Sequence, residues 1–291
     1  MAPVQAPRLT RRFAVAIAAL LVSVAVQPHL AAEARRIISI IPATTEMLFA
    51  MGAGDRVIAV GTYDRFPPEV ERLPRVGALL DPDVERIITL RPDLVVVYGT
   101  QSDLRTQLDR AGIAYFPYVH RGLNDIPETI RALGARVGMP RQAGGLADHL
   151  ERELADIRTR VAGRPRPRTL LIFGREAGTL RNINSSGGVG FLHDMLVAAG
   201  GDDVFDDVKQ QAVITSTEMI LARSPDVIIE LRYERAERAR SDAKVWNALS
   251  SVPAVRNQRI YALEGEEFVI PGPRVGMATE RLSRALHPEA W

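Results

Sequence analysis

The sequence predicts an α/β protein of two Rossmann-like lobes, each built on a central parallel sheet, with a long interlobe helix joining them and a ligand cleft between. Three observations carry this expectation. Short β-branched runs alternate with longer amphipathic stretches both before residue 125 and after residue 167. The segment between has helical spacing with no strand in it. A pattern from the first half returns in the second at a fixed offset.

The first 34 residues differ from the rest. Arg8, Arg11 and Arg12 precede an apolar run from Phe13 to Val26, and small residues follow, ending in Ala32-Glu33-Ala34. That order reads as a secretory signal peptide, because a run of about 14 apolar residues is too short to cross a hydrocarbon core as a helix. Phe13 follows the arginine pair one place early for a twin-arginine signal, so ordinary secretion is expected. The chain of 291 residues is 46% hydrophobic and 25% charged, the composition of a packed globular protein. Without residues 1–34 it carries 34 basic and 34 acidic side chains, so no basic field remains to draw nucleic acid. Cysteine is absent, which removes both disulfides and the lipidated cysteine of a bacterial lipid anchor. A periplasmic protein without a lipid anchor is the expectation.

In the N-terminal lobe, residues 35–124, strands are expected at Ile37 to Ile41, Val57 to Val60, Leu94 to Tyr98 and Ala114 to Pro117. Helices fall between them at Thr44 to Met51, Val84 to Leu90 and Ser102 to Ala111, the first capped by Thr44 or Thr45. Such alternation implies parallel strands joined by crossovers. The linker, residues 125–167, holds two helical stretches broken at Gly138-Met139-Pro140; the second, Arg141 to Ala162, spans roughly 33 Å at 1.5 Å per residue. The C-terminal lobe, residues 168–291, opens with a strand at Thr169 to Phe173.

The repeat is explicit. Val84 to Val96 aligns without gaps with Thr217 to Ile229, at an offset of 133. The shared frame is a Glu, an apolar pair, Pro-Asp and a β-branched strand. A lone Glu early in a helix commonly complements the helix dipole. Repeated in both lobes, as Glu85 and Glu218, it points to a role the lobes share. Ligands of such sheets bind beyond the carboxyl ends of the strands, which places the site between the lobes.

These residues resemble the helical-backbone substrate-binding proteins of ABC importers for cobalamin, haem and ferric siderophores. The likeness runs through Arg36 to Glu46, Gly61 to Pro68, Glu85 to Val95, Phe191 to Leu196 with Ala199-Gly200-Gly201, and the second Pro-Asp strand. The stretch Tyr63-Asp64-Arg65-Phe66-Pro67-Pro68 is most similar to cobalamin-binding members, and Tyr98 matches an aromatic position in the same cleft. The resemblance implies a monomer that captures a corrinoid, or alternatively haem or a ferric siderophore, and delivers it to a membrane permease and its ATPase. It also implies that Glu85 and Glu218 project from the lobe tips toward arginines of that permease, the membrane being met only through it. Two features depart from the pattern: the acidic loop Glu264 to Phe268, and Tyr233-Glu234-Arg235.

Candidate ligand contacts follow from position. Pro42, Ala43 and Thr44 join the first strand to its helix, where they either face the cleft or simply cap. Tyr63 and Tyr98 end strands on the binding side, where an aromatic ring offers apolar area and a polar tip. Arg175, Tyr233 and Phe268 take comparable places in the C-terminal lobe. His149, His193 and His287 are expected at the surface, and no two histidines are spaced as a metal pair. Haem could be held by Tyr63, Tyr98 or His120. Ser185 to Gly190 lacks the Gly-Lys ending of a phosphate loop and reads as a loop opening a helix. No catalytic constellation is visible. The expectation is therefore a binding protein with no cofactor beyond its ligand, with an exported enzyme or scaffold of the same fold and no transport role as the alternative of a different class.

Overall fold

Why the strand-helix frame repeats is visible in how its ends are tied. In a computed structural model describing residues 33–233 and 242–291, the N-terminal lobe carries β1 (Ile37–Ser39), α1 (Pro42–Ala50), β2 (Val57–Val60), α2 (Val84–Thr89), β3 (Leu94–Tyr98), α3 (Ser102–Arg110) and β4 (Tyr115–Tyr118). Two helices follow, α4 (Asp125–Arg136) and α5 (Pro140–Val161). The C-terminal lobe holds β5 (Arg168–Gly174), β6 (Ile183–Ser186), α6 (Phe191–Ala198), β7 (Asp202–Asp203), β8 (Ala212–Thr215), α7 (Thr217–Arg223), β9 (Val227–Arg232), α8 (Pro253–Arg256), β10 (Ile260–Glu264) and α9 (Val275–Leu286). Residues 1–32, nearly all of the expected leader, lie outside the described residues. Its last two residues are packed: Ala34 is buried in the core and Glu33 pairs with Arg56 at 2.7 Å.

In both lobes an arginine at the start of a strand holds the end of the repeated helix. Arg36 donates to the carbonyl of Leu90 and Arg168 to that of Arg223, satisfying carbonyls that a helix end leaves open. The Asp of each Pro-Asp turn answers by accepting from strand backbone: Asp93 from the N–H of Arg35 and Arg36, Asp226 from that of Arg168. The chain reverses through a left-handed residue just before each proline, Arg91 and Ser224. The Pro-Asp signature is thus a structural clasp used twice.

The N-terminal sheet is parallel throughout, in the order β2-β1-β3-β4. The C-terminal sheet, ordered β10-β9-β5-β6-β8, is parallel across β10, β9 and β5, as expected, and adds one antiparallel strand. Strand β6 runs antiparallel to both neighbours, so Ser185 and Ser186 stand in a strand rather than a loop. Its polar run is stable because the buried Ser185 hydroxyl accepts from Thr215 at 3.0 Å. Helix α1 also differs from expectation, starting at Pro42 with no side-chain cap; the Thr44 hydroxyl donates back to the Ile41 carbonyl instead.

Helix α5 buries Ala143, Ala147, Leu150, Leu154, Ile157 and Val161, one stripe at helical spacing. It packs against α4, α6 and α9 and so sits inside a core continuous from Ile37 and Leu94 to Leu196, Ile229 and Leu282. A second cluster around Phe205 and Trp246 covers the other face of the C-terminal sheet. The interlobe helix is therefore part of the core, which resists bending as a packed interior does. Proline 140 at its first turn and Gly138 in the left-handed region separate it from α4. His287 is buried, not at the surface, with Nε2 3.1 Å from the Gly200 carbonyl, and His193 is largely covered beside Asp203.

Candidate functional site: an interlobe cleft

Parallel strands bring the loops after β1, β2, β3 and β4 to one end of the N-terminal sheet, and β5, β9 and β10 do the same opposite. The two loop sets touch at both sides. On one side Arg274, just before α9, donates twice to Glu46 of α1, at 2.6 and 2.9 Å, and its guanidinium lies 4.0 Å from the Phe66 ring centroid. Beside it Arg65 faces Glu266 at 3.6 Å, and Glu267 receives Arg274 and Arg281. On the other side His120 packs edge-on to Phe191, and Asp194 accepts from the Leu123 N–H at 2.9 Å. The cleft expected from the sequence falls among the strand-end loops between these two seams.

Tyr63 stands in the cleft loop after β2 and is 65% exposed. Its backbone is fixed on two flanks: Thr62 donates to Gly77, and Arg75 donates to the carbonyls of Gly61 and Asp64. Gly61 is required, since a Cβ there would meet Asp64 Oδ2 and the Ile40 carbonyl at 2.7 and 2.8 Å. Beneath Tyr63 the Asp64 carboxyl is buried, and burial, partly opposed by hydrogen bonding and by Arg75, pushes it up to about 7. Tyr98 is half-buried at the end of β3; its N–H donates to Gln101, whose amide donates on to Leu79. That bridge presents the Leu79-Leu80 loop, with Leu80 93% exposed. Tyr98, Tyr118, His120 and Phe191 form a chain of ring contacts from one lobe to the other. Burial raises the Tyr98 phenol, with the Asp64 charge adding to it, and burial lowers His120.

In the C-terminal lobe, Arg175 follows β5 with a largely covered side chain that donates to Glu230 at 2.8 Å. Glu230 also accepts from Trp246 Nε1 and Arg232. Burial alone would raise this carboxyl; the hydrogen bonds from Arg175 and Arg232 outweigh it and hold Glu230 below its usual range. Tyr233 is exposed at the end of β9, whereas Glu234 and Arg235 lie outside the described residues. The sequence reading missed Glu230 and Trp246. A single acid inside the apolar run Val227 to Leu231 was the available signal, since an acid there needs a partner.

Three expected contacts are corrected. Phe268 is wholly buried in the core under the Arg281 guanidinium, and Ala43 and Thr44 are buried in the first turns of α1. None offers a side chain to the cleft; Pro42, partly exposed, is the residue of that turn that can.

Glu85 and Glu218 are both exposed, on α2 and α7. A crossover helix starts at the carboxyl edge of its sheet, which puts each Glu at the rim of its lobe. Only these two α-helices among the described residues have a side-chain N-cap: Asp83 accepts from Arg86, and Ser216 from Met219. The Ser216 hydroxyl holds Glu218 below the ordinary carboxylate range.

A two-lobed cleft spanned by a rigid helix defines a solute-binding architecture, and the comparisons agree. The periplasmic binding protein family model matches residues 37–267. The chain belongs to this family, and it is a binding protein rather than an enzyme. Among its relatives, the vitamin B12-binding protein of Salmonella typhimurium is 30% identical over 255 residues, 87% of this chain and 90% of that one. Among solved structures, the periplasmic vitamin B12 binding protein of Vibrio cholerae superposes with a TM-score of 0.76 at 26% identity, covering 89% of this chain and 98% of that one. A periplasmic haem-binding protein from Roseiflexus gives 0.75 at 25%, covering 88% and 99%. Among the described residues no helix is long and apolar enough to cross a membrane, and no three His, Cys, Asp or Glu side chains gather as a metal site.

Proposed function

We propose that this chain is the periplasmic binding component of an ABC importer, exported by its leader without a lipid anchor, that captures a corrinoid and delivers it to its permease and ATPase. The observation that carries the ligand class is the N-terminal wall of the cleft. Tyr63, Tyr98 and the exposed Leu80 offer broad apolar and aromatic area suited to a large, flat ligand, and similarity to vitamin B12-binding relatives supports the same reading. Pro42 and Tyr233 complete the contact set, and Arg175 holds the opposite wall in place through Glu230. Glu85 and Glu218 meet basic residues of the permease, giving orientation and encounter rate.

Haem is the alternative, supported by the haem-binding structural relative. Of the three residues that could hold its iron, Tyr98 is half-buried and His120 has Nε2 buried, whereas Tyr63 is the exposed one. The test is the visible spectrum of the leader-free protein after mixing with cyanocobalamin or hemin and removing free ligand by gel filtration. Retained corrinoid colour is expected. A retained, shifted Soret band with no corrinoid would replace this reading by haem capture, and no retained colour from either would remove both.

A further inference from the structure

We propose that each acidic docking residue has an apolar partner one helical turn away, Ile88 beside Glu85 and Leu221 beside Glu218, and that the permease buries both. The proposal rests on the transport reading above and adds the apolar part of the interface.

The repeated frame carries an apolar pair in each lobe, Ile87-Ile88 and Ile220-Leu221. The first member of each pair is buried against its sheet. The second is not: Ile88 is 38% exposed and Leu221 44%. Residues three and four apart share a helix face, so Ile88 and Leu221 stand beside the two acids. The small, exposed Thr89 and Ala222 follow and leave that face open. A single exposed apolar residue is ordinary and needs no explanation. Here the same position is exposed and apolar in both lobes, 133 residues apart, while the sites around it differ: Val84 against Thr217, Arg86 against Met219, Leu90 against Arg223. An exposed helix position gains nothing from a β-branched isoleucine, which forms helix less readily than alanine or lysine.

What covers the two patches follows from their charge and number. The adjoining acids call for a basic surface and repel an anionic bilayer. One chain presenting two equivalent patches fits a partner with two equivalent pockets, each apolar and rimmed by arginine or lysine. Exposed charges act over a Debye length of about 8 Å at physiological salt and are screened beyond it, so they guide approach. Residence in a complex depends on apolar side chains buried inside such a rim.

The test measures binding of the leader-free protein to a permease–ATPase complex from the same organism, held in nanodiscs, over a range of salt. The double variant Ile88→Ala, Leu221→Ala is expected to lose about tenfold in affinity at every salt concentration, mainly through faster dissociation, with melting temperature and corrinoid binding kept. The variant Glu85→Gln, Glu218→Gln should instead lose association rate at low salt and converge with the wild type at high salt. The conservative pair Ile88→Leu, Leu221→Ile should bind as the wild type does. Wild-type affinity in the double alanine variant at all salt concentrations, alongside loss in the glutamine variant, would overturn the apolar anchors and leave the transport reading standing. Failure of the wild-type protein to bind the complex would remove the transport reading and this proposal together, and equal binding to empty nanodiscs would replace the permease by a lipid surface. If the double alanine variant does not fold, the two single variants, each with part of the loss, decide the question.

Discussion

Arg274 of the C-terminal lobe grips Glu46 of the N-terminal lobe through two hydrogen bonds across the cleft seam, with Phe66 stacked on the guanidinium. A bidentate pair of this kind is geometrically specific, and here it links residues 228 positions apart. Glu46 is buried, so removing its partner leaves a charge without compensation, whereas removing both partners costs less.

Arg274→Met should therefore lower stability by about 3 kcal/mol, and the added change Glu46→Gln should restore part of it. Denaturant unfolding of the single and double variants checks this; a single variant as stable as the wild type would show that the pair contributes nothing.

Asp64 gives a pH signature. Its folded-state pKa, about 7, lies above the 3.8 of an ordinary aspartate, so the folded protein holds a proton that the unfolded chain releases first. Its contribution to stability is fully present below about pH 4 and is lost as pH rises to about 7, a change of a few kcal/mol. Asp64→Asn should raise the melting temperature at about pH 8 and have little effect at about pH 4. Equal shifts at both would exclude this assignment.

Tyr63 and Phe268 should separate binding from folding. Tyr63→Ala removes an exposed ring, and corrinoid affinity measured by titration calorimetry should fall about tenfold with an unchanged melting temperature. Phe268→Ala empties a core position and should cost about 3–5 kcal/mol of stability while the folded fraction still binds corrinoid.

Reversing both rim acids, Glu85→Arg with Glu218→Arg, should abolish corrinoid uptake by cells. Normal uptake by the double variant would refute docking through these residues.

Much of this architecture was legible before the structure. Helix α5 shows in the spacing of Ala143, Ala147, Leu150 and Leu154, and strands such as Leu94 to Tyr98 show as buried apolar runs between turns. Strand β6 does not, because Ile183-Asn184-Ser185-Ser186 has one β-branched residue followed by a polar run and is held by a hydroxyl pair with a residue 30 positions later. Long-range pairing of that kind leaves no local trace. The same holds in the site: Tyr63 and Tyr98 could be placed from strand ends, but whether Phe268 faces the cleft or the core depends on Arg281 and α9 lying over it. Glu46 offered no signal of its partner across the seam.

A core that runs unbroken through α5, closed at one side by Glu46 and Arg274, holds the distance between the two lobe rims nearly constant. A docking partner that measures only that distance then reads a full copy and an empty copy alike. If the chain docks as proposed, empty protein should compete for the same docking site, and uptake at a given ligand supply should pass through an optimum in protein abundance rather than rise with it.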